Sequence, residues 1–434
     1  MISSKYDVVV KSFGISSIAA SSYLSDRGIK ILLIDETPIS PIEEDGFVLY
    51  PYEVPMAGLS DKDYSSDMMS FIGFGDINKN IQSDREPLGI VFRESKLDFK
   101  TPYIKEDVKR EFGSSQALKF NKLLEDLKRR SQRRPCSWRR GKFDRIKDLP
   151  KNIRHAFSYH GINSLYKKYD INTRLSGIMN AVLFVMSGVA SRNYRLNDAS
   201  RLLMVTLNGV DMTDSSIYSV RSSLLKSIRG RVDTVNAKEL TDVEQGPFVI
   251  DDLDLVRRSF VEDFDRFKSE FSERVMHPVS LYAKIDQDYL SSAMPQLIIY
   301  VDADQSDYFE SEDIYVVRVW AKGDQATIRV TSFVSFGFFD IYSEQHKARI
   351  AKMKSVLERL VPNMKIADTE YYPSTDNLSK CFDNLSHGDI IYDDTPIKSR
   401  AWRCGHEQNP FLGFEGLISS GVDIAHKILR KIKK

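Results

Sequence analysis

Cysteine is nearly missing from these 434 residues: only Cys136, Cys381 and Cys404 occur, with no CxxC spacing. That scarcity excludes a disulfide scaffold or a zinc ribbon and fits a reducing compartment. An excess of one charge is missing too, because 62 Lys and Arg face 61 Asp and Glu, a formal net charge of +1. Wrapping nucleic acid along a whole chain needs a basic surplus, so nucleic acid is not an expected partner. The 7 histidines are scattered without an HxH or HExxH arrangement, and no metal site is expected. Long apolar runs are absent as well. The most apolar window, Gly177 to Ala190, is broken by Asn180, Ser187 and Gly188 and predicts a buried helix, not a membrane span. Met1 to Val10 shows no basic region leading into an apolar stretch, so no signal peptide and a cytoplasmic location are expected.

What is present describes an ordinary globular protein. Hydrophobic residues make up 42% of the chain and charged ones 28%. The length exceeds what one core usually holds, which predicts two domains. No internal repeat or low-complexity segment is found.

The opening is the most legible stretch. Asp7-Val8-Val9-Val10 has the β-branched character of a buried parallel strand. A turn at Ser12 to Ser17 leads into Ile18 to Leu24, where small residues stand at positions that would press a helix against a sheet. Gly28 closes that helix, and Ile29 to Ile34 is a second buried strand ending at Asp35. A dinucleotide fingerprint needs three small residues, for the turn, for close approach of the diphosphate and for helix packing, and then an acid about 20 residues on for a ribose hydroxyl. Those positions read Ser12, Gly14, Ser17 and Asp35. Each serine is expected to add some turn strain or packing strain.

Further along, Asp107 to Met204 is mainly helical in pattern. Val220 to Ile228 predicts a helix that hands over to strands near Arg231 to Val243 and Pro247 to Ile250. Strand-like runs follow at Gln296 to Val301, Ile314 to Trp320 and Ala326 to Val334, and a helix at Glu344 to Leu360. At the far end Gly405, Glu407, Gly413 and Gly416 precede a final helix at Leu417 to Lys431. Glycines just before a helix present backbone N–H groups to an anion or an electron-rich ring edge. Gly421, inside that helix, would permit close approach of a neighbouring backbone or ligand.

The two ends together resemble the FAD-dependent oxidoreductases of the phytoene desaturase and amine oxidase type. Tyr6 to Asp35 is similar to the family's first motif and Gly405 to Ile428 to its last. The resemblance implies an α/β fold, with a Rossmann-like FAD-binding domain and an inserted α+β substrate domain. The expected division is 1–100 with 216–254 and 371–434 for the first, and 101–215 with 255–370 for the second. It implies that Ser12, Gly14, Ser17 and Asp35 face the ADP half of FAD. Gly405, Glu407, Gly413 and Gly416 would then face the ribityl chain and flavin, and Lys238 to Val243 would supply a strand beside the adenine. The substrate implied is a hydrophobic or amine-type organic molecule. No catalytic base is named by any motif.

Several positions depart from the family. Two of the three fingerprint glycines are serine, and Lys11 ends the first strand. Thr37-Pro38-Ile39-Ser40-Pro41 replaces the family's Gly-Gly segment, with no arginine between Asp35 and Arg85. These changes keep a second reading open: FAD weakly bound or lost, and a non-catalytic protein that binds a protein partner, as Rab GDP-dissociation inhibitors do on the same scaffold. Trp402 and His406 flank Cys404 and suit either a site lining or core packing.

Positive charge is concentrated in two places, Lys128 to Lys147 and the tail Lys427, Arg430, Lys431, Lys433 and Lys434. Ile424, Ile428, Leu429 and Ile432 stand beside the tail charges in the pattern of an interfacial helix, so contact with an anionic membrane is an expectation. For Lys128 to Lys147 a solvated helix and loop is the favoured reading, and a nucleic-acid strand stacking on Trp138 is the other alternative.

Overall fold

A computed structural model describes residues 5–11, 14–35, 42–44, 47–49, 55, 57–58, 69–70, 72–74, 84–92, 95–132, 161–187, 196–212, 216–236, 248–252, 276–302, 313–335, 344–362, 364, 370–373, 401–404 and 414–432. The chain opens with β1 (Val8–Lys11), α1 (Ile15–Ser25), β2 (Ile31–Asp35), β3 (Ile42–Glu44), β4 (Phe47–Leu49), β5 (Asp84–Glu86), β6 (Leu88–Phe92) and β7 (Ser95–Phe99). Helices α2 (Tyr103–Gln132, interrupted at Gly113), α3 (Ile162–Lys168), α4 (Thr173–Ser187) and α5 (Leu196–Leu207) follow. Then come β8 (Val210–Met212), α6 (Ser216–Ile228), β9 (Asp233–Asn236) and β10 (Phe248–Asp252). The remainder is β11 (Met276–Asp286), β12 (Leu297–Val301), β13 (Ile314–Lys322), β14 (Gln325–Ser335), α7 (Glu344–Leu360), β15 (Glu370–Pro373), β16 (Ala401–Cys404) and α8 (Phe414–Ile432).

The protein is α/β. Among the described residues its first sheet has five strands in the order β16-β10-β1-β2-β9, every neighbouring pair parallel. Parallel strands are covered by helices, so their residues are apolar on both faces. Val8, Val10, Ile31, Leu33 and Ile250 face α1, α6 and α8, while Val9, Leu32 and Ile34 form a small cluster on the other face. The βαβ reading of the opening is what folds: β1, α1 and β2 follow in order, and Gly28 takes a φ of 77° at the turn between helix and strand. β9 falls within the strand region expected near Arg231 to Val243 and ends at Asn236 beside Asp35, while residues 238–243, expected as the strand beside the adenine, lie outside the described residues.

A second, mixed sheet, of seven strands among the described residues, runs β15-β11-β14-β13-β12-β6-β7. Alternation along its strands divides two cores. Leu297, Ile299 and Val301 of β12 face the helical layer of α2, α4 and α5, whereas Ile298 and Tyr300 turn toward α7 with its buried Met353, Val356 and Leu357. The described part of the apolar window, 177–187, lies in α4, which is buried from Leu175 through Ser187; residues 188–190 lie outside the described residues. Strands β6 and β7 belong here through the parallel β6–β12 pairing, so this sheet recruits residues 88–99, before position 100. Among the described residues no helix is long and apolar enough to cross a membrane.

Candidate functional site

The site is built where two helices begin. In α1, Ile15 through Leu24 are all buried, which requires small residues wherever another backbone comes close. That backbone is α8. A Cβ added at Gly421 would meet the Ser16 carbonyl oxygen at 1.9 Å and the Ala20 nitrogen at 3.0 Å, so only glycine permits this crossing. Further on, the rings of Tyr23 and His426 lie 4.9 Å apart. Contacts that advance together along both helices mean that α1 and α8 run in the same direction. Both N-termini therefore open at the carboxyl edge of the parallel sheet, the edge where α/β sheets take ligands.

Around the first turn of α1, Gly14 is the N-cap residue, with φ −68° and ψ 167° and no side-chain cap. Helical hydrogen bonding starts with Ile18 N donating to Gly14 O at 3.1 Å, so the N–H groups of Ile15 and Ser16 have no acceptor within the helix. Ser16 is fully buried in this turn, and its hydroxyl has no hydrogen-bond partner among the described residues. A buried hydroxyl left unpaired is unfavourable by about 1–3 kcal/mol, which makes it a marker of a missing partner. An uncapped, buried helix N-terminus with an orphaned hydroxyl fits the diphosphate of a dinucleotide, by hydrogen bonding and by the helix dipole.

Ser17, at the third fingerprint position, is less disruptive than its identity suggests. Its Oγ donates to Gly14 O at 2.9 Å and Ser21 Oγ donates to Ser17 O at 2.8 Å, so the hydroxyl is absorbed by its own helix. Asp35 ends β2 in register with Asn236, at the same carboxyl edge. Ser12 lies outside the described residues, as do Gly405, Glu407 and Gly413.

The last helix differs from expectation. It starts at Phe414, so Gly416 stands inside its first turn and not before it. Phe414 N donates to Ala57 O at 3.4 Å, which anchors this turn to the first half of the chain. Glu415 is 6% exposed and is gripped by Arg201 of α5, whose Nε and Nη2 donate to Oε2 at 2.8 and 2.5 Å. Nη1 of the same arginine donates to Ser131 O at 3.1 Å, in the last turn of α2. A buried ion pair thus ties the start of α8 to the helical layer of the second sheet.

Packing accounts for Trp402 and for the apolar stripe of the last helix. Trp402 is buried on β16, 5.6 Å from the Phe248 ring and 4.7 Å from Lys431 Nζ, and belongs to the core. The apolar stripe Ile424, Ile428 and Leu429 is also buried, with Ile432 packed against the same core. The stripe that suggested an interfacial helix is occupied by the protein's own interior. Residues 133–147 of the basic stretch lie outside the described set.

Ser16 and Arg201–Glu415 were not found by motif reading. The fingerprint marks glycine positions, and Ser16 lies between two of them; the ion pair joins residues 214 apart.

No family model matches the chain, and no curated protein matches it. Solved structures do. The chain is similar to an oxidoreductase from Methanosarcina mazei, at TM-score 0.58 and 9% identity over 98% of this chain and 100% of that one. Putrescine oxidase bound to putrescine gives a TM-score of 0.54 and 12% identity over 98% and 99% of the two chains. Cyclohexylamine oxidase from Brevibacterium oxydans gives 0.50 and 10% over 99% and 100%. The chain has the amine oxidase fold. At these identities the likeness is one of fold, and it extends over nearly the whole length of each amine oxidase.

Proposed function

We propose that the protein is an FAD-dependent oxidoreductase of amine-type organic substrates. The observation that carries this reading is the first turn of α1: an N-cap glycine, N–H groups without helical acceptors and the orphaned Ser16 hydroxyl. The amine oxidase fold supports it. When bound, FAD supplies two-electron acceptor chemistry. The protein's part is binding and orientation. Gly14, Ser16 and Ser17 would hold the diphosphate and Asp35 the adenosine ribose. Gly405, Glu407, Gly413 and Gly416 would line the ribityl and flavin half.

Titration with FAD tests the cofactor assignment. Asp35→Ala is expected to weaken binding by about 1–3 kcal/mol, as expected for a lost hydrogen bond involving a charged group. Anaerobic mixing of the reconstituted protein with primary amines tests the substrate class, through bleaching of the flavin absorbance. Equal FAD affinity in parent and variant would remove Asp35 from the site, and no bleaching by any amine would remove the substrate class.

A further inference from the structure

The buried ion pair at the start of α8 has a place relative to the proposed cofactor that gives it more than a packing role. Sheet order puts Asp35 and β9 on one side of β1 and puts β10 and β16, which α8 covers, on the other. A dinucleotide whose diphosphate rests on α1, with its adenosine toward Asp35, directs its other half toward β10, β16 and α8. Glu415 lies six residues before the Gly421 crossing, or about 9 Å along the helix axis, on the carboxyl-edge side. The first turn of α8 thus overhangs the start of α1 on the side where the redox-active half would lie.

Two opposed charge sources meet in that turn. The aligned peptide dipoles of α8 give the helix start a partial positive charge. Glu415 brings a negative charge into the same turn, and Arg201 balances it from α5 with side chains 8% exposed on both partners. All three guanidinium nitrogens are engaged, on Glu415 and on the Ser131 carbonyl. We propose that Arg201, acting through Glu415, is a positioning residue: the pair holds the first turn of α8 against the redox-active half of the cofactor and sets the charge presented there. This rests on the FAD reading above.

The test uses Glu415→Gln, Arg201→Met, the double variant and Arg201→Lys in the full chain. Each is measured for FAD dissociation constant, flavin midpoint potential and melting temperature without FAD. Glu415→Gln leaves the guanidinium charge uncompensated and should shift the potential to more positive values. Arg201→Met leaves the carboxylate and should shift it to more negative values, with the double variant returning toward the parent. Either single change should raise the FAD dissociation constant about tenfold, the equivalent of one lost charged hydrogen bond. A purely structural pair would lower melting temperatures and leave the potential alone. Should Arg201→Met not fold, Glu415→Gln and Arg201→Lys still decide: the parent's potential and affinity in both would overturn the proposal. A parent that takes up no FAD would overturn the function proposed above, and the positioning role with it. A parent that binds FAD, with variants indistinguishable from it, would remove the positioning role alone.

Discussion

The carbonyl oxygen of Ser16 occupies the space that a side chain at Gly421 would need, 1.9 Å from the position of its Cβ. Backbone is on both sides of this contact, so no side-chain rotation relieves it. Gly421→Ala must push α8 off α1 and is expected to destabilise by about 1–3 kcal/mol, in the range of overpacked cores. Urea unfolding of parent and variant measures this. Equal midpoints would mean that the helices do not pack as described.

Ser16 offers a variant whose two effects have opposite signs. Its hydroxyl is buried and unpaired among the described residues, so Ser16→Ala should leave the stability of the FAD-free protein unchanged or raise it. The same change should weaken FAD binding by about 0.5–1.5 kcal/mol, the net value of one hydrogen bond. Paired melting and titration experiments check both. A hydroxyl with only a structural role would show no loss in the titration.

Restoring the glycine of the fingerprint at position 17 should not help the protein. Ser17 is buried with its hydroxyl bonded to Gly14 O, and a glycine within a helix is unfavourable by about 0.5–1 kcal/mol relative to alanine. Ser17→Gly is therefore expected to lower the unfolding midpoint. A higher midpoint would show that the serine strains the turn.

Legibility in the sequence followed the range of the interactions. Val8 to Val10, the small residues of α1, Gly28 and Asp35 lie within one βαβ unit, and local periodicity shows them. The helix at Glu344–Leu360 was readable end to end for the same reason. Strands β6 and β7 were not, because their place depends on pairing with β12, about two hundred residues on. Ile424, Ile428 and Leu429 misled, because an amphipathic stripe has the same spacing whether it faces a membrane or a core. Only packing against β16 and α1 distinguishes the two. The start of α8 was placed three residues late, since Phe414 and Glu415 sit among glycines that resemble a turn.

Asp126 gives a prediction about pH. Burial pushes its carboxyl up, but hydrogen bonds from Lys168 and Tyr169 and the charge of Arg130 outweigh that and hold it below the usual carboxylate range. Lys168 Nζ and Tyr169 OH donate to Oδ2 at 3.1 and 3.0 Å, tying α3 and the adjoining turn to α2. A lowered folded-state pKa contributes stability above the unfolded value, near 3.9, that is lost as pH falls through the folded value. Asp126→Asn should cost about 1–3 kcal/mol at neutral pH, with exposed partners keeping it from the larger values of fully buried pairs. The gap between parent and variant should close as pH drops below about 4. Unfolding curves across that range check it, and a gap independent of pH would assign the stability to shape and not to charge.

The central claim is that the first turn of α1 holds the diphosphate of FAD. The visible absorption spectrum of the purified protein, recorded before and after adding FAD and removing the excess by gel filtration, tests it most directly. Flavin bands that stay with the protein, and that Ser16→Ala and Asp35→Ala diminish, are the predicted result. A colourless protein after reconstitution, folded by circular dichroism, would contradict the account.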